Sequence, residues 1–346
     1  MQTLVTPTTP PAHARRNDAA ATTSVQAARV VYFIASHVNP DQIVRLVRAC
    51  LSGSPNARVL LHHDHRVSTL DRKRIEGFGQ IDYLEPDVNE KLWGAFGMCR
   101  MVSRCMNWLC DNRDFDWVVY LSGQDYPTQP IKQIEDFLTH TPHGGFIDAM
   151  PIERRSWIIG QQRYAYQYYK LPQFKGWERL RRTMKCRSDA AVKRGDVPRI
   201  LIPQEPERGF RVGLKPFTTP FRNGYTCWMG SSWWTLHRRS IEFMLDTAER
   251  RPELTKYFER VQFAPNEAFF LTLLANNPEL NLVTNNNKRS VVWTYAKTGH
   301  PDTMLVEDFD RLVICGNHFG RKFDSRVDGK VLDMIDEHLG LSRIRV

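Results

Sequence analysis

The amino-acid sequence predicts an α/β fold built on a mostly parallel central sheet. Three observations carry that expectation. The stretch from Arg29 to Ala35 reads RVVYFIA, a continuous apolar run of the kind found in strands covered on both faces. A second such run, WVVYL, occupies Trp117–Leu121. Between them a helix pattern follows the first strand and leads into another, a βαβ order that implies parallel pairing and a right-handed crossover.

The elements follow in turn. Asn39-Pro40-Asp41-Gln42 has the chemistry of a helix start, with Asn as N-cap, Pro at the first helical position and Gln at the third. Ile43, Leu46, Val47, Cys50 and Leu51 then repeat at helical spacing, and Gly53–Pro55 ends the helix. Arg58–Leu61 is a strand running into His62-His63-Asp64, and Ile81–Leu84 is a short one. A helix is expected from about Glu90 to Cys110, with Leu92, Phe96, Cys99, Val102, Met106 and Leu109 on its apolar side. From Pro151 to Thr226 neither period persists: tyrosines alternate with basic residues and prolines punctuate the chain, the pattern of a long irregular lid or binding loop. Regular structure returns at Cys227–Leu236, followed by helices over Arg239–Arg250 and Asn266–Asn276.

Composition narrows the class. Of 346 residues, 42% are hydrophobic and 25% charged, proportions that exclude a fibrous or wholly disordered chain. No run of 18 apolar residues exists, so no membrane-spanning helix is expected. The net charge of +10 is concentrated: residues 151–226 hold 17 Lys and Arg against 6 Asp and Glu, a surplus of +11. Such a segment either meets an anionic partner or simply solvates a long connection. Seven cysteines without a CxxC pair fit a reduced compartment, and residues 1–28, rich in Thr, Pro and Ala, read as a disordered tail without a secretory leader. A cytoplasmic location is the expectation.

In open α/β sheets ligands lie outside the carboxyl ends of the strands. Two strand ends are polar there, His62-His63-Asp64 and Ser122-Gly123-Gln124-Asp125; they are either nucleotide contacts or ordinary turns. An Asp-x-Asp pair at such an end would hold Mn²⁺ or Mg²⁺. Asp114-Phe115-Asp116 precedes its strand instead, and the position after the strand offers Asp125 alone. No spacing matches a zinc site. Metal-free chemistry is favoured, with adjacent cations neutralising any leaving phosphate. Trp233 and Trp234 are either core aromatics or a sugar-stacking platform.

Five segments together are specific: Leu121-Ser-Gly-Gln-Asp-Tyr-Pro127, Gly230-Ser-Ser-Trp-Trp234, Pro265-Asn-Glu-Ala-Phe-Phe270, Gly299-His-Pro301 and Phe319-Gly-Arg-Lys-Phe-Asp324. In this order and spacing the sequence resembles the core-2/I-branching glycosyltransferases of family 14, which include β-1,6-N-acetylglucosaminyltransferases and peptide O-xylosyltransferases. The resemblance covers roughly Val30 to Leu339. It implies a GT-A-like fold that moves a sugar, GlcNAc or xylose, from a UDP-sugar to an acceptor hydroxyl with inversion and without a divalent metal or other cofactor. Glu267 inherits the catalytic base, although Asn266 stands where the family motif has Asp. Arg321 and Lys322 inherit the donor diphosphate, with His63, Asp64 and Asp125 also on the donor side. Trp293 and Tyr295 match a Trp-x-Tyr of the acceptor pocket, which Trp233 and Trp234 would extend. One domain over residues 29–346 is then expected: a nucleotide-binding half (29–140), a basic, irregular acceptor-side insertion (141–226), and a catalytic and diphosphate-binding half (227–346).

The resemblance implies a hydroxyl-bearing glycan, peptide or small-molecule acceptor and no nucleic-acid partner. Two other readings stay open at this point. The basic, tyrosine-rich segment 151–226 could bind nucleic acid or another polyanion by joining stacking to phosphate neutralisation. Alternatively, Asp125 could ligate a metal in a metal-dependent transferase.

Overall fold

The structure, a computed structural model, describes residues 26–87, 95–172, 176–202, 211–261, 263–294 and 300–341. The chain opens with β1 (Val30–Ser36), α1 (Pro40–Leu51), β2 (Arg58–His63), β3 (Gln80–Tyr83), α2 (Gly97–Asn112) and β4 (Trp117–Ser122). Next come β5 (Asp125–Pro127), α3 (Ile131–His140), β6 (Gly145–Phe146), β7 (Ala149–Pro151), α4 (Gln161–Tyr164), β8 (Gln167–Lys170), α5 (Trp177–Lys193), β9 (Ile200–Leu201) and β10 (Arg211–Leu214). The last part holds β11 (Trp228–Gly230), β12 (Thr235–His237), α6 (Arg238–Arg250), α7 (Pro252–Phe258) and α8 (Phe269–Ala275). It ends with β13 (Leu282–Val283), β14 (Arg289–Val291), α9 (Phe309–Ile314), β15 (Phe319–Arg321) and α10 (Lys330–His338).

The expected α/β architecture is present. A seven-stranded sheet has the order β13-β6-β12-β4-β1-β2-β3, and only β12 runs against its neighbours. Alternate residues of β1 explain its unbroken apolar run. Val31 and Phe33 enter one core with Met101, Cys105 and Leu109 of α2, Ile241 of α6 and Phe270 of α8. Tyr32 and Ile34 enter the other with Leu46 and Val47 of α1, Ile134 of α3 and Ile335 of α10. Helices therefore cover both faces of the sheet, the condition under which parallel strands carry no polar side.

Four sequence expectations change. Asn39 does not cap α1: it is left-handed (φ 55°), and its side-chain amide donates to Ser325 Oγ at 2.9 Å instead. Ala28 is not part of a loose tail, because it is buried and its N–H donates to Thr139 Oγ1 at 2.9 Å; residues 1–25 lie outside the described ones. The helix expected over Asn266–Asn276 is split into a 3-10 turn (Pro265–Glu267) and α8, because Ala264 is left-handed and Ala268 leaves helical geometry.

The basic insertion is the largest correction, since it is not irregular. It forms a three-stranded antiparallel sheet, β8-β10-β9, with α5 alongside. Met184 of α5 packs against Ile202 and Val212, while Tyr166, Tyr168 and Leu201 form a second small cluster. Strands this short and a helix with so few apolar contacts leave no readable period in the sequence.

Gly230 marks where the second half closes on the first. Any Cβ there would lie 1.9 Å from the Asp148 carbonyl oxygen, in backbone that β7 and β11 hold. Gly230→Ala should therefore destabilise the fold by about 1–3 kcal/mol or more in denaturant unfolding, whereas Gly77→Ala, with open space around it, should leave the midpoint nearly unchanged.

Candidate active site

The carboxyl end of β4 is built around a buried ion network. Asp125, fully buried, accepts the Ser122 N–H at 2.7 Å and the Ser122 hydroxyl. Antiparallel pairing of β5 with β15 sets Arg321 opposite Asp125, and Arg321 Nη1 lies 3.7 Å from Asp125 Oδ2. The Arg321 guanidinium rests 4.4 Å from the centre of the Trp233 ring, yet its Nε and Nη1 have no hydrogen-bond acceptor among the described residues. A second guanidinium, Arg289 on β14, is buried nearby and donates to the carbonyls of Tyr120 (3.2 Å) and Asn287 (3.0 Å). Burial lowers its pKa to about 10, against the attraction of Asp125. One carboxylate thus serves two buried cations.

Gln42 of α1 holds this end of the sheet together. Its amide nitrogen donates to the carbonyls of Gly123 (3.0 Å) and Phe323 (3.1 Å), and its oxygen accepts from Ser325 N–H at 2.8 Å. The segment carrying Arg321 and Lys322 is thereby tied to the turn after β4.

Glu267 lies on the 3-10 turn before α8 and keeps a third of its side-chain surface open. Arg163 of α4 donates to its Oε2 at 2.9 Å. Burial raises the Glu267 pKa, while Arg163, then Arg155 and Arg321, pull it down. The turn is fixed from two sides. Tyr164 Oη donates to the Ala264 carbonyl at 2.9 Å, and Asn266 Nδ2 donates to Ser232 Oγ at 2.6 Å. The latter bond joins the Pro265–Phe270 and Gly230–Trp234 segments, so Asn266 performs a concrete linking task. A carboxylate with an elevated pKa among three guanidiniums can accept a proton beside a place suited to anions.

The remaining candidates divide. Trp233 is half-buried beneath Arg321, but Trp234 is wholly buried against Tyr120 and belongs to the core, not to a sugar platform. Asp125 is likewise closed to solvent, with Oδ2 beside Arg321 and Oδ1 without a hydrogen-bond partner among the described residues. His63 is held at both nitrogens: Nε2 donates to the Ser68 carbonyl (2.7 Å) and Nδ1 accepts from the Ser36 hydroxyl (3.0 Å). Burial lowers its pKa, consistent with the neutral ring. Asp64 is engaged by Arg66 through both oxygens, at 2.7 and 2.8 Å. Neither is free for a ligand without displacing those partners. Lys322 is half-buried next to Arg321, Trp293 is 55% exposed, and Tyr295 lies outside the described residues. Among the described residues, no group of three or more His, Cys, Asp and Glu gathers as a metal-binding set.

Sequence reasoning missed Arg155, Arg163, Arg289 and Gln42. The charge surplus of residues 151–226 was the available signal for the first two. Arg289 and Gln42 carried none, because Gln42 meets partners 81 to 283 residues away and Arg289 meets the Tyr120 carbonyl 169 residues away.

Comparison with known proteins gives this arrangement a class. The family model described as Core-2/I-Branching enzyme matches residues 206–313, which include Gly230–Trp234 and Glu267. Xylosyltransferase 2 of Rattus norvegicus is 24% identical over 332 residues, covering 90% of this chain and 34% of its own length. Beta-glucuronosyltransferase GlcAT14B of Arabidopsis thaliana is 24% identical over 334 residues, covering 90% of this chain and 66% of its own. The chain thus spans about a third of the length of the xylosyltransferases it matches. Among solved structures, apo mouse xyloside xylosyltransferase 1 aligns over 84% of this chain and 97% of its own at 9% identity, with a TM-score of 0.36. The relatives it matches are named as glycosyltransferases, xylosyl- and glucuronosyltransferases, and the chain is similar to that class. Within that class the similarity is to the core-2/I-branching type, through the match over residues 206–313.

Removing the counter-charge tests the network. Asp125→Asn leaves Arg321 and Arg289 without their carboxylate and should cost about 3 kcal/mol, the scale of a broken buried pair. Chemical denaturation of the purified variant gives the number, and an unchanged midpoint would remove Asp125 from this role.

Proposed function

We propose that this chain is an inverting, metal-independent glycosyltransferase with a GT-A-like fold, using a UDP-sugar as donor and an acceptor hydroxyl as nucleophile. The observation that carries the reading is the Glu267 carboxylate, held by Arg163 and within the electrostatic reach of Arg321. In the proposed reaction Glu267 takes the proton of the acceptor hydroxyl as its oxygen attacks the anomeric carbon. The bond from that carbon to the diphosphate oxygen breaks with inversion, and UDP leaves. Arg321 and Lys322 offset the charge that develops on the leaving diphosphate, a task their fixed positive charge suits. The names of the relatives support xylose as the donor sugar, with glucuronic acid as the second choice. Trp233 and Trp293 stand on the acceptor side of this reading. A reduced, cytoplasmic setting is part of this proposal and rests on the sequence, whose seven cysteines include no CxxC pair.

Purified protein assayed for UDP release and transfer, with UDP-xylose and UDP-glucuronate each offered, tests the assignment. Glu267→Gln should lower the transfer rate by roughly 10²–10⁴ with UDP affinity nearly unchanged. Replacing Arg321 and Lys322 together by Ala should instead weaken UDP binding, each charge-assisted bond contributing about 1.5–3 kcal/mol. Transfer should persist in EDTA. Near-normal turnover in the Gln variant, a product retaining the donor configuration, or loss in EDTA restored by Mn²⁺ would each overturn a named part of the proposal.

The pH profile carries a second expectation. Glu267 must be ionised to accept a proton, and its pKa is raised above the ordinary 4.5. The rate should therefore fall on acidification at a pH above that of an ordinary glutamate. Arg163→Met removes the largest influence pulling the pKa down, so the acidic limb should move to still higher pH. An acidic limb that stays put in this variant would separate it from Glu267.

A further inference from the structure

We propose that an exposed apolar and basic patch of the insertion docks onto an anionic lipid bilayer surface. The strands β9 and β10 set Ile200 directly opposite Leu214, and both side chains are exposed. The Lys215 N–H donates to the Arg199 carbonyl at 2.9 Å, extending the pairing by one step. Beyond it Phe217 is 91% exposed, with the Arg199 guanidinium 5.1 Å from its ring centre. Val197, also exposed, precedes β9. Ile200, Leu214, Phe217 and Val197 are thus exposed apolar side chains interleaved in sequence with the exposed cations Arg199 and Lys215.

The surroundings share the sign. Arg179, Arg182 and Arg187 are exposed along α5, which packs beside β9 and β10 through Met184. Of the acidic residues nearby, Asp189 is paired with Lys185 and Asp196 with Arg194, while Glu178 is exposed in the first turn of α5 among more numerous cations. The occupant must therefore be anionic, and it must also reward exposed apolar side chains. A hydrated acidic polymer meets the first condition alone. A bilayer with acidic headgroups meets both, since apolar groups settle at the headgroup–acyl boundary while Lys and Arg stay with the phosphates. The site reading above is independent of this surface. The two are linked through β8, which directly follows α4 and its Arg163, so docking would orient the Glu267 side of the molecule with respect to the membrane.

The full chain is sedimented with vesicles of phosphatidylcholine alone and of phosphatidylcholine with phosphatidylglycerol. Binding is expected to the anionic vesicles and not to the neutral ones. Leu214→Ser with Phe217→Ser leaves the net charge unchanged and should lower partitioning on the order of tenfold or more. Arg199→Gln with Lys215→Gln should lower it on the order of tenfold. Phe217→Ser alone, at a side chain that contributes almost nothing to the core, guards against misfolding, and thermal melts confirm each variant. No binding to anionic vesicles would overturn the proposal. So would binding indifferent to the serine variants and competed away by heparin, which would assign the surface to an acidic polymer.

Discussion

The carboxylate of Asp125 is the point on which the functional end of the sheet depends. It sits where β4 ends and β5 begins, entirely out of solvent, and answers two guanidiniums that arrive from β14 and β15. Burying such charges is unfavourable unless they are paired, so the pairing of β5 with β15 and the placement of Arg321 are one structural fact. The carboxylate also ties the turn after β4 by accepting from Ser122. With one negative charge against two positive ones, the region keeps a positive surplus. In the proposed reaction that surplus is what a donor diphosphate would meet.

Glu267 lies under the opposite pressure. Its surroundings disfavour the charged form, while Arg163, Arg155 and Arg321 favour it. The balance leaves a carboxylate that is more basic than an exposed glutamate and still able to ionise, the condition general-base chemistry asks of a side chain. Its backbone is equally constrained, through Tyr164 on the insertion side and Ser232 on the sheet side. The insertion therefore completes the site as well as decorating the surface, because α4 supplies both Arg163 and Tyr164.

Charge has been distributed by task. Within the insertion, Arg163 is drawn inward to Glu267, whereas Arg199, Lys215 and the arginines along α5 remain outside. The same compositional surplus thus serves a carboxylate in the interior and an exposed face, and composition alone could not tell these uses apart.

What the sequence by itself determined was the layer plan and the identity of the key motif residues. Unbroken apolar runs at Val30–Ala35 and Trp117–Leu121 are what strands covered on both faces carry, and the five motif segments singled out Glu267, Arg321 and Lys322. Tertiary structure alone decided how those residues are held. Trp233 and Trp234 are neighbours in sequence just before β12, yet one lies beneath Arg321 and the other in the core. The burial of Asp125 was not legible, because the guanidiniums whose charge it answers come from more than 150 positions further along the chain. Arg163 was one basic residue among 17 until folding set it against a carboxylate 104 residues away. Periodicity records which face of an element is buried, but not which distant charge stands opposite it. That partner is fixed only when the sheet closes.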